Sequence, residues 1–128
     1  MRYLIIFLFF SQNICAEIIN LNCKWENGEN FISNQLLKIT EKDNQRLSID
    51  TKYKKIIFFS NLPNPEKIEW KNDIIKWSGK GLKMQYGTYP NYYNSLDRFT
   101  GQLITRLNLT SKDYISEKYI CTKITKKF

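Results

Sequence analysis

The stretch Tyr93-Asn94-Ser95-Leu96-Asp97-Arg98-Phe99-Thr100-Gly101-Gln102-Leu103 predicts a β-hairpin and indicates the fold class of the whole chain. A run of aromatic and polar residues meets the segment 98–101, and an apolar run resumes directly after it. Gly101 tolerates the positive φ that a tight turn needs, so we expect it to close the turn. The predicted hairpin covers residues 92–107.

The same alternation of apolar and polar residues recurs along the chain. Ile19, Leu21, Cys23 and Trp25 fall on one face of a predicted strand over residues 17–25. A turn is predicted at residues 27–30. Further strands are predicted at 35–40, 46–50, 55–60, 67–70, 74–77, 82–86 and 117–124, with a polar connection and one short helical turn at 109–116. Short strands separated by turns predict an all-β, antiparallel meander barrel, with a β-sandwich as the alternative.

Two apolar features of these strands have more than one interpretation. Residues 56–59 are apolar on both faces, which is typical of a strand covered on both sides or of a surface that binds a partner. The tryptophans at 25, 70 and 77 all fall at inward positions. We expect them to fill the core rather than to stack on a sugar, because each ring buries a large area.

The N-terminus has the composition of an export signal. Arg2 precedes an apolar run over residues 4–10, and a polar stretch ends at Ala16. A run of seven residues is shorter than the roughly 20 that span a bilayer. We therefore predict a signal peptide at 1–16, a single small β domain at 17–128, no transmembrane anchor after cleavage, and a periplasmic or secreted location.

Two cysteines, Cys23 and Cys121, remain after the predicted cleavage. In an oxidising compartment, an isolated pair at opposite ends of a domain predicts a disulfide that ties the terminal strands. Closing a loop on the order of 100 residues stabilises a fold by about 4–5 kcal/mol in the chain-entropy account. The sequence contains no histidine, so no metal site and no cofactor are predicted.

The chain is basic, with a formal net charge of +8. Of its 20 basic residues, 16 are lysine. Proteins that bind nucleic acid favour arginine, so a nucleic-acid partner is not expected. The excess of lysine, isoleucine and asparagine is typical of an A+T-rich genome. Attraction to an anionic membrane surface or to an acidic wall polymer is the functional alternative to this compositional bias.

Catalytic chemistry has little support in the sequence. Without histidine, the Ser/His and Cys/His pairings are excluded. Carboxylate pairs such as Asp50 with Asp97, or Glu69 with Asp73, could serve a small hydrolase only at a defined separation across a cleft. We therefore predict a non-catalytic protein.

The candidate binding residues surround Pro90 and the hairpin. They are Tyr86, Tyr89, Tyr92, Tyr93 and Arg98. Tyrosines at a loop rim can stack on a sugar or a peptide, although such a rim can also pack against itself. Likewise, Asp97 can bond to the turn backbone while Arg98 lies along a neighbouring strand. The predicted function is a non-catalytic binding domain whose partner is an envelope protein or a saccharide. The alternative is an inhibitor of an envelope-directed hydrolase that acts through loop 61–65 or 87–91.

The second half of the chain resembles a group of small, uncharacterised secreted bacterial proteins. The resemblance lies in the tryptophan strand at Trp77, a Leu-Asp-Arg-x-Thr-Gly-x-Leu hairpin at 96–103, and a terminal Tyr-x-Cys-x-Lys motif at 119–123 with a basic tail at 126–128. It implies secretion and one compact domain, and it implies no activity. A weaker similarity to periplasmic lysozyme inhibitors concerns only the small disulfide-linked barrel.

Overall fold

A computed structural model describes residues 18–59, 63–81 and 90–124 of the chain. Within these ranges, all regular secondary structure is β-strand, which confirms the predicted class. The strands in chain order are β1 (Ile18–Ile32), β2 (Gln35–Ile39), β3 (Gln45–Asp50), β4 (Lys55–Phe59), β5 (Lys67–Trp70), β6 (Ile74–Lys80), β7 (Asn91–Asp97), β8 (Gln102–Asn108) and β9 (Tyr114–Lys123).

The strands form one antiparallel sheet in the order β4-β3-β1-β9-β8-β7-β6-β5. Strand β2 pairs with the second half of β1, while β3 pairs with its first half. The sheet curls into a nearly closed barrel, so the predicted barrel is confirmed. The short connections explain the antiparallel pairing, because a tight turn can join only antiparallel neighbours.

The first and last strands lie side by side, as predicted. Cys23 of β1 is directly opposite Cys121 of β9 in the strand register. Their Cα atoms are 3.8 Å apart, and the two sulfur atoms form a disulfide. The covalent link therefore joins the two ends of the domain at the centre of the sheet.

Side chains bridge the gap between the two sheet edges, β4 and β5. The ring of Phe59 on β4 meets the ring of Trp77 edge-on, with 5.9 Å between the centroids. The hydroxyl of Tyr92 donates a hydrogen bond of 2.9 Å to the carbonyl oxygen of Pro63, which precedes β5. These contacts close the barrel where the backbone ladder stops.

The core lies inside the barrel and follows the alternation of the strands. Its fully buried members come from both halves of the chain and include Leu47, Ile75 and Leu103. Trp77 is also buried, whereas Trp25 and Trp70 are half-buried and pack against this cluster. The prediction that the tryptophans fill the core is thus confirmed for Trp77, whereas Trp25 and Trp70 lie at the margin of the core.

The hairpin of β7 and β8 has the turn that the sequence predicts. Gly101 adopts a φ of 77°, and its N–H donates to the carbonyl oxygen of Asp97 at 2.9 Å. The Asp97 side chain accepts the N–H groups of Phe99 and Thr100 at 2.9 and 3.1 Å. Side chain and backbone together fix the turn.

The turn predicted at residues 27–30 is wrong, because these residues lie inside β1. A bulge between Trp25 and Asn27 shifts the register there. Gly28 allows close packing rather than a turn: a Cβ atom on it would lie 3.0 Å from the carbonyl oxygen of Ser116. The chain reverses later, at Ser33 and Asn34, whose φ angles are 55° and 62°.

The interpretation of residues 56–59 as a strand covered on both sides is also wrong. The register between β3 and β4 shifts opposite Ser48 and Ile49, where Ile57 is an extra residue in β4. As a result, Ile56 and Phe59 both face the core, while Ile57 and Phe58 both face outward and are 48% and 41% exposed.

Other boundaries differ from the predictions. Strand β9 begins at Tyr114, and residues 109–113 connect it to β8 without a helical turn. The predicted strand at 82–86, the leader at 1–16 and the basic tail at 126–128 lie outside the described residues.

Candidate functional site

The predicted tyrosine and arginine set is distributed over different surfaces. Tyr92 points into the barrel and is 2% exposed, whereas Tyr93 points outward and is 47% exposed. Arg98 follows the opposite end of β7, about 17 Å from Tyr93 at the usual rise per residue. Tyr86 and Tyr89 lie outside the described residues. The three described members therefore do not share one rim.

Tyr92 is a structural residue of the barrel wall. Its hydroxyl holds Pro63, as described above, and its ring lies over Gly79, where a Cβ atom would come within 2.9 Å of the hydroxyl oxygen. Burial, with a smaller effect of the nearby Glu66 carboxylate, raises the pKa of the Tyr92 hydroxyl. The hydroxyl therefore stays protonated, and able to donate to Pro63, to a higher pH than that of an ordinary tyrosine.

Arg98 joins two neighbouring turns. Its guanidinium donates to the carbonyl oxygen of Lys71 at 3.1 Å and lies 5.7 Å from the centre of the Trp70 ring. Its backbone N–H donates to the carbonyl oxygen of Asp73 at 2.9 Å. Arg98 thus packs against the β5–β6 turn, the alternative that the sequence left open.

Tyr93 belongs to a groove on the outer surface of β5 to β8. The groove has a volume of about 440 Å³. Tyr93 and Ile104 supply exposed apolar surface there, and Lys67, Lys76 and Arg106 supply positive charge. The guanidinium of Arg106 also stacks on the Tyr114 ring at 4.1 Å.

The interior of the barrel holds a second, smaller cavity of about 150 Å³. Its walls are apolar and aromatic, but polar side chains converge on it from neighbouring strands. These are Tyr92, Asn94, Thr105, Glu117 and Tyr119. We call this space the lumen cavity. Polar groups converging in a mostly apolar concavity are typical of small-molecule sites.

Glu117 is the most unusual residue of the lumen cavity. It faces inward from β9 and is 6% exposed, although it carries a carboxylate. Its Oε1 accepts a hydrogen bond of 2.6 Å from the Lys42 ammonium, and its Oε2 accepts one of 3.4 Å from the Tyr119 hydroxyl. Burial raises the pKa of Tyr119, and the charge of Glu117 raises it further.

Lys42 reaches Glu117 from the mouth of the barrel. It lies in the irregular segment between β2 and β3, and its side chain remains 43% exposed. This segment is attached to β1 by a hydrogen bond of 3.4 Å from the Trp25 backbone N–H to Asn44 Oδ1. The ammonium group therefore covers a buried carboxylate from a segment outside the sheet.

Asn94 connects the lumen cavity to the core tryptophan. With its amide oriented to satisfy both partners, its oxygen accepts from Trp77 Nε1 at 2.9 Å and its nitrogen donates to the Tyr93 carbonyl oxygen at 3.0 Å. The amide is buried, at 4% exposure. These two bonds fix one wall of the cavity.

Glu117 was assigned no role from the sequence, because carboxylates were considered there only as catalytic pairs. A usable signal was present in β9. Glu117, Tyr119 and Cys121 are spaced two apart, so they share a face of the strand, and the disulfide fixes that face as buried.

The loops proposed for inhibition are described only in part. In the loop at 61–65, Pro63 accepts a hydrogen bond from Tyr92. In the loop at 87–91, Pro90 is buried and its carbonyl oxygen accepts the Gly81 N–H at 2.7 Å. The described ends of both loops thus pack onto the barrel.

The chain matches no protein-family model, no curated protein and no solved structure. Over the described residues, no helix is both long and apolar enough to cross a bilayer. The same residues contain no group of three or more potential metal ligands. The disulfide is typical of an oxidising, extracytoplasmic compartment.

Proposed function

We propose that this protein is a secreted or periplasmic, non-catalytic binding domain that holds a small, amine-bearing ligand in the lumen cavity. The observation that carries the proposal is the buried carboxylate of Glu117, covered by the ammonium of Lys42 at 2.6 Å. Lys42 occupies the position that a ligand ammonium would take.

The energetics of burial support a binding role for this pair. A buried ion pair recovers only part of the desolvation cost of its two charges, and apolar residues of similar volume often stabilise a fold equally well. A carboxylate in the core of a barrel therefore gives less stability than an apolar residue of similar volume could give. Such residues are expected at sites that bind a ligand.

The composition of the lumen cavity supports binding rather than catalysis. Its lining contains one carboxylate, Glu117, whereas glycoside hydrolysis uses a pair. Gln45 and Thr105, which also line the cavity, can fix the orientation of a ligand by hydrogen bonds. The raised pKa of Tyr119 keeps its hydroxyl protonated, and able to donate to Glu117, to a higher pH than that of an ordinary tyrosine.

The size of the lumen cavity limits the ligand. Pockets for drug-sized molecules usually exceed about 300 Å³, whereas this cavity has about 150 Å³. The ligand is thus a compact amine of a few heavy atoms. Withdrawal of Lys42 toward solvent would add room, because its side chain is already half-exposed.

The proposed location rests on two features of the chain. The apolar run at residues 4–10 followed by Ala16 has the composition of a secretory signal. The disulfide persists in the oxidising compartments to which such a signal leads.

Thermal unfolding with a matched pair of probes tests the proposal. Ethanolamine carries an ammonium group at neutral pH, and ethylene glycol has nearly the same size without the charge. We expect millimolar ethanolamine, and not ethylene glycol, to raise the midpoint of unfolding, because a ligand that binds only the folded state stabilises it. Lys42→Ala should enlarge this rise, because it frees Glu117.

Two further variants make the result specific. Glu117→Gln should abolish the response to ethanolamine, with circular dichroism confirming the fold. Lys112→Ala changes a lysine on another connection at the same end of the barrel and should respond like the wild type. If Lys42→Ala responds no more strongly to ethanolamine than Lys112→Ala does, the pair is only structural and the proposal is wrong.

A further inference from the structure

One end of the barrel collects three turns, which we call the hairpin end. They are the β3–β4 turn at 51–54, the β5–β6 turn at 71–73 and the β7–β8 turn at 98–101. The antiparallel register places all three at the end where β1 begins and β9 finishes. The lumen cavity and Lys42 lie toward the opposite end.

Two turns of the hairpin end present exposed aromatic side chains. Phe99 is 81% exposed and Tyr53 is 62% exposed, the highest values among the large apolar residues that the structure describes. Ile18, at the start of β1, adds another side chain at 56% exposure. An exposed apolar side chain gains free energy when another surface covers it, so a cluster of such side chains marks an interaction site.

Both aromatic tips are held by the same device. Asp97 Oδ1 accepts the N–H groups of Phe99 and Thr100, as described above. In the β3–β4 turn, Asp50 Oδ1 accepts the N–H groups of Lys52 and Tyr53 at 3.0 and 3.1 Å. The aromatic rings thus project from turns that are already ordered, so little entropy is lost when the tips dock.

Positive charge surrounds the aromatic tips. The turns of the hairpin end and the strand residues next to them contain three described acidic residues and five described basic ones. The basic ones are Lys52, Lys54, Lys55, Lys71 and Arg98, and Lys123 at the end of β9 adds a sixth cation; all six are exposed. Two of the three carboxylates, Asp50 and Asp97, already accept backbone N–H groups.

Where the structure describes it, the opposite end of the barrel has no such excess. Its described connections and adjoining strand residues contain four basic and four acidic residues. They are Lys42, Lys67, Lys80 and Lys112 with Glu41, Asp43, Glu66 and Asp113. Among the described residues of the two ends, the excess of positive charge is therefore at the end that carries Phe99 and Tyr53.

A hollow of about 340 Å³ lies beside the β7–β8 turn at this end of the barrel. Ile19, Leu21, Ile49 and Leu96 form its apolar lining, and the turn itself and Lys123 supply polar and charged groups. The hairpin end therefore combines a hollow with an apolar lining, aromatic tips and a basic periphery.

From this arrangement we infer that the hairpin end docks on the surface of an anionic phospholipid bilayer. The rings of Phe99 and Tyr53 enter the boundary between headgroups and acyl chains, and the lysines contact lipid phosphates. Tyrosine suits this boundary because its ring is apolar and its hydroxyl stays hydrated. Tips carried by separate turns at one end of the barrel fit an extended planar surface better than a single protein pocket.

Sedimentation with vesicles tests this inference, using the chain as exported and processed by its host. The probes are vesicles of phosphatidylcholine alone and vesicles in which a quarter of the lipid is phosphatidylglycerol. We expect binding to the second kind, weakened by salt. Phe99→Ala should lower the affinity roughly tenfold, as expected for losing a partly inserted ring. Lys52→Ala with Lys54→Ala should lower it further, about fivefold per lysine.

Residues on the barrel wall supply the matched controls. Ile104→Ala removes an apolar side chain that is 44% exposed, and Lys76→Ala removes an exposed lysine on the same wall. Both should bind vesicles like the wild type. A tryptophan placed by Phe99→Trp should shift its emission to the blue on anionic vesicles, whereas Ile104→Trp should not.

The outcomes that contradict the inference are equally specific. It is overturned if the wild type binds neither kind of vesicle, if it binds both kinds equally, or if the wall variants lose as much affinity as Phe99→Ala. In the first case, an acidic protein partner becomes the candidate for the hairpin end. None of these outcomes bears on the lumen cavity.

Discussion

Gly101 lies directly against the backbone of Cys121. The Cys121 N–H donates to the Gly101 carbonyl oxygen at 2.8 Å, and a Cβ atom on Gly101 would overlap the Cys121 carbonyl oxygen. The turn of the β7–β8 hairpin is therefore packed onto the strand that carries the disulfide. Gly101 is therefore needed for two reasons: the turn requires its positive φ, and the close approach to β9 leaves no room for a Cβ atom.

Gly101→Ala should destabilise the protein by about 2–4 kcal/mol. The variant adds a side chain at a positive φ and forces the turn away from β9. Urea unfolding followed by fluorescence measures the change. Thr100→Ala, which removes the side-chain hydrogen bonds to the Gln102 N–H and to Asp97, should cost only about 1 kcal/mol, because both bonds are exposed to solvent. Equal losses in the two variants would contradict the packing argument.

Removing the disulfide should cost about 4–5 kcal/mol in the chain-entropy account, because it closes a very long loop. The cysteines are separated by 98 positions in sequence. The variant with Cys23→Ser and Cys121→Ser is compared with the wild type by urea unfolding, with and without reductant. Reductant should lower the stability of the wild type and leave the double variant unchanged. A wild type insensitive to reductant after complete reduction would contradict this prediction.

Most of the fold could be predicted from local alternation and turn residues. The hairpin around Gly101 depends on interactions between residues close in sequence. The pairing of Cys23 with Cys121 depends on one covalent bond between the two cysteines that remain after the predicted cleavage. The bulges could not be predicted. Each bulge adds one residue to a strand, near Trp25 in one case and opposite Ser48 in the other. The added residue changes the face of the sheet on which the following residues lie. The position of a bulge depends on pairing with the neighbouring strands, which local sequence does not reveal.

The candidate site was harder to predict than the fold. Tyr92 and Tyr93 are adjacent in sequence yet lie on opposite faces of β7, so a cluster of tyrosines in sequence is not a cluster in space. Glu117 becomes notable only when Lys42, 75 positions away, is brought to its carboxylate. Such long-range pairs follow from strand order, which a single sequence leaves open.

Asp97 should contribute to the acid sensitivity of the fold. Hydrogen bonds from the backbone N–H groups of Thr100 and Phe99 lower the pKa of its carboxyl group below the ordinary value of 3.8. A lowered folded-state pKa stabilises the protein above the unfolded-state pKa, and this contribution is lost as the pH falls through the folded-state pKa.

In Asp97→Asn, the free energy of unfolding should therefore fall less steeply as the pH decreases below about 5, as measured by urea unfolding at successive pH values. Asp43→Asn, on the connection between β2 and β3, is the matched control and should keep the wild-type slope. An unchanged slope in Asp97→Asn would show that the turn does not depend on the charge of Asp97.

Tyr119 should contribute to alkaline sensitivity. Burial, together with the charge of Glu117, raises the pKa of its hydroxyl above the ordinary value of 10.0. A raised folded-state pKa gives stability below the unfolded-state pKa, which is lost as the pH rises from that value toward the folded-state pKa. In Tyr119→Phe, the free energy of unfolding, measured by urea unfolding at successive pH values, should therefore fall less steeply with pH above about pH 10 than in the wild type. Tyr53→Phe, at an exposed turn, should retain the wild-type profile, and identical profiles for both variants would contradict the prediction.

Substitution of Lys54 should affect both the stability of the barrel and the inferred binding to membranes. It adopts a φ of 55° at the end of the β3–β4 turn, a conformation that favours glycine. Lys54→Gly should stabilise the protein by about 1 kcal/mol, because a side chain in this region costs about that much. The same substitution removes one cation beside Tyr53, so it should weaken binding to anionic vesicles about fivefold. Lys112→Gly, in a connection at the opposite end, should gain no stability and leave vesicle binding unchanged. If Lys54→Gly gains stability without losing vesicle affinity, the lysine serves solubility alone.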